Sequence, residues 1–233
     1  MWIKLCANTN LEDSLLCVDA GADALGFILA ESARRVTAEQ VGAITSHLPA
    51  SVEKIGVFYT NDFDEITQAM KVAGLTGAQL HGGYDPALVE RLRKHLGDSG
   101  DRISILQTMH WRTGVSAAEQ AEIFAKTAAA IDAQGMVSAL LVDSKTSTAS
   151  GGTGVAFSWE DSASVLHTVR TRVVVAGGLR PENVAEAIRI LHPWGVDVAS
   201  SVEAAKGKKD AAKVRAFVKN AKAAGRETQP VAL

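Results

Sequence analysis

Two side chains in this sequence are well placed to move protons. Cys6 closes the apolar run Trp2-Ile3-Lys4-Leu5-Cys6, and Asp143 closes Ala139-Leu140-Leu141-Val142-Asp143. A thiolate can take a proton and a carboxylic acid can give one. Such a pair on opposite sides of a small molecule suits an isomerisation that needs no cofactor and no metal. Lys4 lies two residues before Cys6, so in a strand both side chains leave from one face. A lysine facing an interior is costly unless it is paired or functional, and its charge favours the thiolate. Lys4 is therefore also a candidate for substrate contact. The bland alternatives are a small buried hydrophobe for Cys6 and a loop cap for Asp143.

Other residues suit an anionic substrate. Arg34 and Arg35, in Glu31-Ser32-Ala33-Arg34-Arg35-Val36-Thr37, offer bidentate hydrogen bonds to a carboxylate. His81 follows Gln79-Leu80 and is a candidate for substrate contact, although a lone histidine is more often structural. Three loops combine glycines and hydroxyls: Gly151-Gly152-Thr153-Gly154, Gly177-Gly178 and Ser200-Ser201. Backbone N–H groups without a shielding side chain approach phosphate oxygens closely. Gly152, Gly154, Gly177, Gly178, Ser200 and Ser201 are the candidate phosphate cradle.

These residues need a frame that brings strand ends together. Apolar, β-branched runs begin at Trp2, Ala24, Lys54, Gly77, Ile103, Ala139, Arg172 and Gly195. Amphipathic stretches separate them, among them Leu11–Ala20, Ala38–His47, Asp62–Ala73, Pro86–Leu96 and Ala117–Ala133. Trp159–Thr168, Pro181–Leu191 and Lys208–Ala224 complete the series. Alternating strand and helix implies a parallel sheet covered by helices. Eight units within 233 residues favour a closed α/β barrel, the (β/α)8 TIM barrel, in one domain over 1–224. Cys6 runs into Ala-Asn-Thr-Asn, without the glycine fingerprint that an open dinucleotide-binding sheet needs. Residues 225–233 read as a loose tail. In such a barrel, catalysis sits at the C-terminal ends of the strands, where Cys6, His81 and Asp143 fall. His110-Trp111-Arg112 reads as a polar-aromatic loop after strand five.

Composition narrows the partners. Lys and Arg total 24 against 26 Asp and Glu, so no broad basic surface is expected for nucleic acid. No apolar run is long enough to span a membrane, and the start Met-Trp-Ile-Lys goes directly into a strand pattern, with no signal peptide expected. Two cysteines without histidines at ligand spacing make neither a disulfide scaffold nor a zinc cluster, and fit a reducing cytoplasm. The pattern leaves monomer and homodimer open.

Taken in order, the motifs resemble the phosphoribosylanthranilate isomerases of tryptophan biosynthesis. The likeness runs from Lys4 to about Lys213. It includes Lys4-Leu5-Cys6, Gly21-Ala22-Asp23-Ala24-Leu25-Gly26-Phe27, Gln79-Leu80-His81-Gly82 and Leu141-Val142-Asp143-Ser144. Ala176-Gly177-Gly178-Leu179, Pro181-Glu182-Asn183, Gly195-Val196-Asp197-Val198, Val202-Glu203 and Gly207-Lys208-Lys209-Asp210 continue it. The resemblance implies an Amadori rearrangement of N-(5-phosphoribosyl)anthranilate to 1-(2-carboxyphenylamino)-1-deoxyribulose 5-phosphate. It implies Asp143 as acid, Cys6 as base, Arg34 on the anthranilate carboxylate and the glycine loops on the phosphate. This chain departs from the family pattern with Ala7 and Asn8 after the cysteine, Ala33 in the arginine loop, Ser158, Lys206, and Ser201 in place of a glycine. A serine at a left-handed position would be strained; elsewhere its hydroxyl adds a donor. Two other readings compete: a phosphosugar-binding barrel without catalysis, and the same rearrangement on a related phosphoribosyl amine. The latter barrels use two aspartates, where this chain has Cys6 and, near the second place, Gln107.

Overall fold

Strand sequences rich in Val, Ile and Leu, separated by capped helices, close on themselves in a computed structural model of the protein. It describes residues 1–97, 100, 102, 104–112, 117–145 and 159–228. The strands are β1 (Trp2–Leu5), β2 (Ala24–Ile28), β3 (Glu53–Phe58) and β4 (Gly77–Leu80). They continue as β5 (Ile105–Arg112), β6 (Ala139–Lys145), β7 (Val173–Val175) and β8 (Gly195–Val198). All pair in parallel, in sequence order, and β1 pairs β8 to close the barrel. Helices α1 (Leu11–Ala20), α2 (Ala38–Thr45), α3 (Phe63–Ala73) and α4 (Pro86–Leu96) follow the first four strands. The rest are α5 (Ala117–Gln134), α6 (Trp159–Leu166), α7 (Val184–Leu191) and α8 (Ala211–Thr228).

The βα loops end in residues that start helices. Asn10 accepts from Asp13 N at 2.8 Å, and Thr37 forms a reciprocal cap with Gln40. Asp85 caps α4 just ahead of Pro86 at its first position. These caps fix where each loop stops and so hold the catalytic rim in place.

Inside the barrel, side chains alternate inward and outward along each strand. Reading up β1, the inward residues are Trp2, Lys4 and Cys6; on β6 they are Ala139, Leu141 and Asp143. The lower interior is an apolar plug built on Trp2, Ala24, Ile55, Leu106, Ala139 and Val174. Trp194 stacks on Trp2 from below, with ring centroids 5.2 Å apart. Gly195 makes room for this packing, since a Cβ there would lie 2.8 Å from Trp2 Cε3.

Three expectations from sequence are corrected. β5 runs on through Arg112, so His110-Trp111-Arg112 is strand paired with Asp143–Lys145, not a loop. Trp111 turns outward and packs on Phe124, which gives the strand an apolar reason to continue. The last helix starts at Ala211 rather than Lys208, because Asp210 caps it. Lys208–Lys209 instead forms β10, paired antiparallel with β9 (Glu203–Ala205). Finally, α8 extends through Thr228 with Gly225 buried against Met1, four residues into the segment read as tail.

Candidate active site

Cys6 sits one residue past β1, and its N–H donates to Val198 O at 2.8 Å, prolonging the β1–β8 seam. Ala7 then takes a left-handed conformation, φ 63°, and turns the chain off the sheet. Glycine adopts this conformation freely, whereas alanine is strained there by roughly 1–2 kcal/mol. Asn8 secures the turn, with Nδ2 donating to Leu5 O at 2.7 Å and its backbone N–H to Gly26 O at 2.9 Å. Gly26 faces the thiol across β1–β2. A Cβ there would come within 2.5 Å of Cys6 Sγ and 3.0 Å of Lys4 Cε.

Lys4 is wholly buried beneath Cys6 and paired with Asp197 at 3.0 Å. It is absent from the lining of the cavity above, so the expected substrate contact is replaced by a support from below. Burial disfavours its charge, but Asp197 and the Cys6 thiol outweigh that and leave its pKa raised. The Cys6 thiol is pushed up, first by burial. Lys4 pulls it down as expected, but Asp197 opposes it, and the free site holds the thiol protonated. Cys17 is the packing cysteine of α1, pushed by burial to about 12, and its Sγ–H donates to Asn8 Oδ1.

Asp143 is buried near the top of β6, in register with His110 of β5. His81 lies just beyond β4, and its ring meets that of His110 edge-on at 4.7 Å. Nε2 of His110 hydrogen-bonds His81 O at 3.2 Å. His81, His110 and Asp143 bring metal-type donor atoms within 4.8 Å of one another. A tetrahedral ion with bonds of about 2.0–2.1 Å would need these atoms ~3.4 Å apart.

Cys6, Arg34, His81 and Asp143 all line one cavity of about 310 Å³ at the barrel mouth. Ile28, Val57, Tyr59 and Leu141 supply its apolar wall, which sequence alone did not identify. Arg35 faces away, into a separate surface recess. A smaller hollow of about 80 Å³ adjoins the first, sharing Asp143, Asp197, Ala199 and Ser200. Gly177, Gly178 and Ser201 line it too. Gly177 and Gly178 have φ of 78° and 69°, consecutive left-handed residues that a side chain would strain. Asn183 holds that turn, its Nδ2 donating to Gly178 O at 3.0 Å. Ser201 is not strained: among the described residues only Ala7 and His192 have positive φ with a side chain. Its hydroxyl donates to Leu179 O, tying the two loops together at the edge of this hollow. Gly152 and Gly154 lie outside the described residues.

Sequence reasoning passed over three charged residues around Cys6. Asp197 pairs across the seam with Lys4, and the available signal was a charge inside the apolar run Gly195-Val196-Asp197-Val198. Glu203 and Lys209 sit on the β9–β10 hairpin, which carries no strand pattern of its own. Glu203 grips Arg34 side-on, with Nε donating at 2.8 and 3.0 Å and Nη2 at 2.7 Å. Lys209 Nζ donates to Cys6 O.

The family model for N-(5'-phosphoribosyl)anthranilate isomerase matches residues 3–220. A relative of that name from Pelobacter propionicus is 40% identical over 221 residues, covering 94% of this chain and 95% of the relative. One from Geobacter metallireducens is 36% identical over 225 residues, covering 95% and 98%. The crystal structure of phosphoribosyl anthranilate isomerase from Thermotoga maritima superposes with a TM-score of 0.80 at 32% identity, over 96% of this chain and 99% of that one. A further such isomerase, solved with reduced 1-(o-carboxyphenylamino)-1-deoxyribulose 5-phosphate, gives 0.77 at 30% identity, with the same coverage.

Proposed function

Because the chain belongs to the N-(5'-phosphoribosyl)anthranilate isomerase family, we propose which of its side chains carry out the isomerisation. The chain is an isomerase of phosphoribosylanthranilate and an enzyme of tryptophan biosynthesis. Asp143 gives its proton to the ribose ring oxygen; the C1–O bond breaks and a Schiff base forms between C1 and the anthranilate nitrogen. Cys6, as thiolate, then takes the proton from C2, and the electron pair moves to make the enolamine. The enolamine becomes the ketone as C1 gains a proton and the C2 hydroxyl loses one, so no proton is gained or lost overall.

One observation carries this assignment: Cys6 and Asp143 open into the same 310 Å³ cavity, with Arg34 on its lining. A raised thiol pKa makes the thiolate scarce at neutral pH but a stronger base, and a carbon-bound proton demands a strong one. Arg34 holds the anthranilate carboxylate, and Ile28, Val57, Tyr59 and Leu141 flank its ring. His81 borders the same space. The adjoining hollow takes the phosphate on the backbone of Gly177, Gly178 and Ser200, with Gly152 and Gly154 as further candidates from sequence. Retention of both Cys6 and Asp143 speaks against a pure binder, which needs neither. Among the described residues no helix is long and apolar enough to cross a membrane; the two free thiols suit a cytoplasmic setting.

The test is turnover of N-(5'-phosphoribosyl)anthranilate generated in place, followed by loss of its fluorescence. Cys6→Ser and Asp143→Asn should each lose ~10²–10⁴-fold in kcat. If either variant keeps wild-type kcat, that residue's assignment fails.

A further inference from the structure

Four groups connect the carboxylate end of the cavity to the base: Arg34, Glu203, Lys209 and the backbone of Cys6. Glu203 is almost fully buried, with 4% of its side chain exposed, whereas Arg34 keeps 19% and faces the cavity. The carboxylate takes the Nε and Nη2 edge of the guanidinium and also accepts from Gly207 N at 3.3 Å. Lys209, 1% exposed, stands 4.0 Å from Glu203 and donates to the carbonyls of Cys6 and, at 3.5 Å, Ala199. Lys213 donates to the backbone oxygen of Glu203 at 2.9 Å.

Arginine presents five N–H donors in a rigid plane. With the side edge engaged by Glu203, the end-on edge is the one left to meet a carboxylate in the cavity. The plane of that edge is set by Glu203, and its offset from Cys6 is set by Lys209. A guanidinium on a flexible stem would otherwise sample many rotamers, and each would place the substrate's C2 differently against the thiolate.

We propose that Glu203 is a positioning residue that, braced by Lys209, aims Arg34 at the substrate carboxylate at a fixed distance from Cys6. The proposal rests on the assignment of Arg34 to the anthranilate carboxylate. Charge pairing explains why the device uses a carboxylate: set among cations, it grips the guanidinium through two oxygens.

The experiment is a double-mutant cycle with Arg34→Ala, Glu203→Gln and both together, reading kcat and KM for phosphoribosylanthranilate. Glu203→Gln should raise KM by ~10–100-fold with a smaller change in kcat, as expected when an anchor group is misplaced by about 1 Å. In the Arg34→Ala background the same substitution should change KM less than about twofold, because its route of action is gone. An equal rise in KM in both backgrounds, or no rise in the wild-type background, overturns the proposal. Unchanged KM in Arg34→Ala alone overturns instead the assignment of Arg34. Where Glu203→Gln fails to fold, Glu203→Asp keeps the charge and shortens the reach by one methylene, and the same two results decide.

Discussion

The same barrel builds two different interiors, two to four residues apart along its strands. At the lower end Trp2, Ala24, Ile55, Leu106, Ala139 and Val174 form an apolar plug. At the upper end Lys4 and then Cys6 follow Trp2, Asp197 follows Gly195, and Asp143 lies beyond Leu141 on β6. The step is only ~6.6–13 Å along a strand, yet it separates packing from chemistry. The lower layer needs shape complementarity alone. The upper layer buries charge, and does so by pairing: Lys4 with Asp197, Arg34 with Glu203. A buried charge without a partner is heavily penalised, so the mouth is polar only where partners converge.

If this division is right, substitutions in the two layers should fail in different ways. The largest effect belongs above: Asp143→Asn should lower kcat by ~10²–10⁴-fold while the melting temperature holds. A matching fall in melting temperature would mean that Asp143 belongs to the scaffold. Below, Trp2→Ala should cost about 3–5 kcal/mol of stability by denaturant titration. Its kcat/KM per folded molecule should not change; a loss of turnover would blur the boundary between the layers. Gly26→Ala probes the boundary directly, since the new methyl must displace Cys6 Sγ or the strand. It should lower kcat by ~10²-fold, and full activity would show that the thiol position is not critical.

A smaller effect comes from pH. Folding raises the Cys6 pKa above its ordinary value of 9.0. The unfolded thiol therefore ionises first, and its contribution to stability is complete below pH 9.0 and lost as pH climbs through the folded value. Each such thiol adds a slope of up to ~1.4 kcal/mol per pH unit. Chemical denaturation of Cys6→Ser between pH 8 and 10 should show a shallower decline than wild type, with Cys17 supplying what remains. Identical slopes would place the Cys6 shift in error. Least of all, Ala7→Gly should gain about 0.5–1 kcal/mol, by releasing a left-handed alanine at the entropic cost of glycine. A loss on calorimetry would show that Ala7 is not strained.

The lower layer was legible in the sequence, because short apolar runs such as Val173-Val174-Val175 and Ala139-Leu140-Leu141, alternating with amphipathic stretches, read as buried parallel strands. Cys6 and Asp143 were legible for a related reason: a polar residue closing an apolar run stands out. The end of β5 was not, since His110-Trp111-Arg112 breaks the apolar run and only its pairing with Asp143–Lys145 makes it strand. Glu203 and Lys209 were visible as a motif but silent as to role. Their partners lie 169 and 203 residues away, and a sequence contains no distance of that kind. Ser201 shows the reverse. Its departure from glycine left strain and an added donor both open, and the structure gives it an ordinary backbone and a tie to Leu179.

Closure of the sheet between its first and last strands has a consequence for the order of assembly. Lys4 meets Asp197 across 193 residues, Arg34 meets Glu203 across 169, and Lys209 reaches Cys6 across 203. On a ribosome adding 5–20 residues each second, Lys4 emerges about 10–40 s before its counter-ion has been made. For that interval the surroundings of the thiol do not exist, and an ammonium destined for a dry interior remains in water. The chemistry of this barrel is thus among the last things its own synthesis can complete.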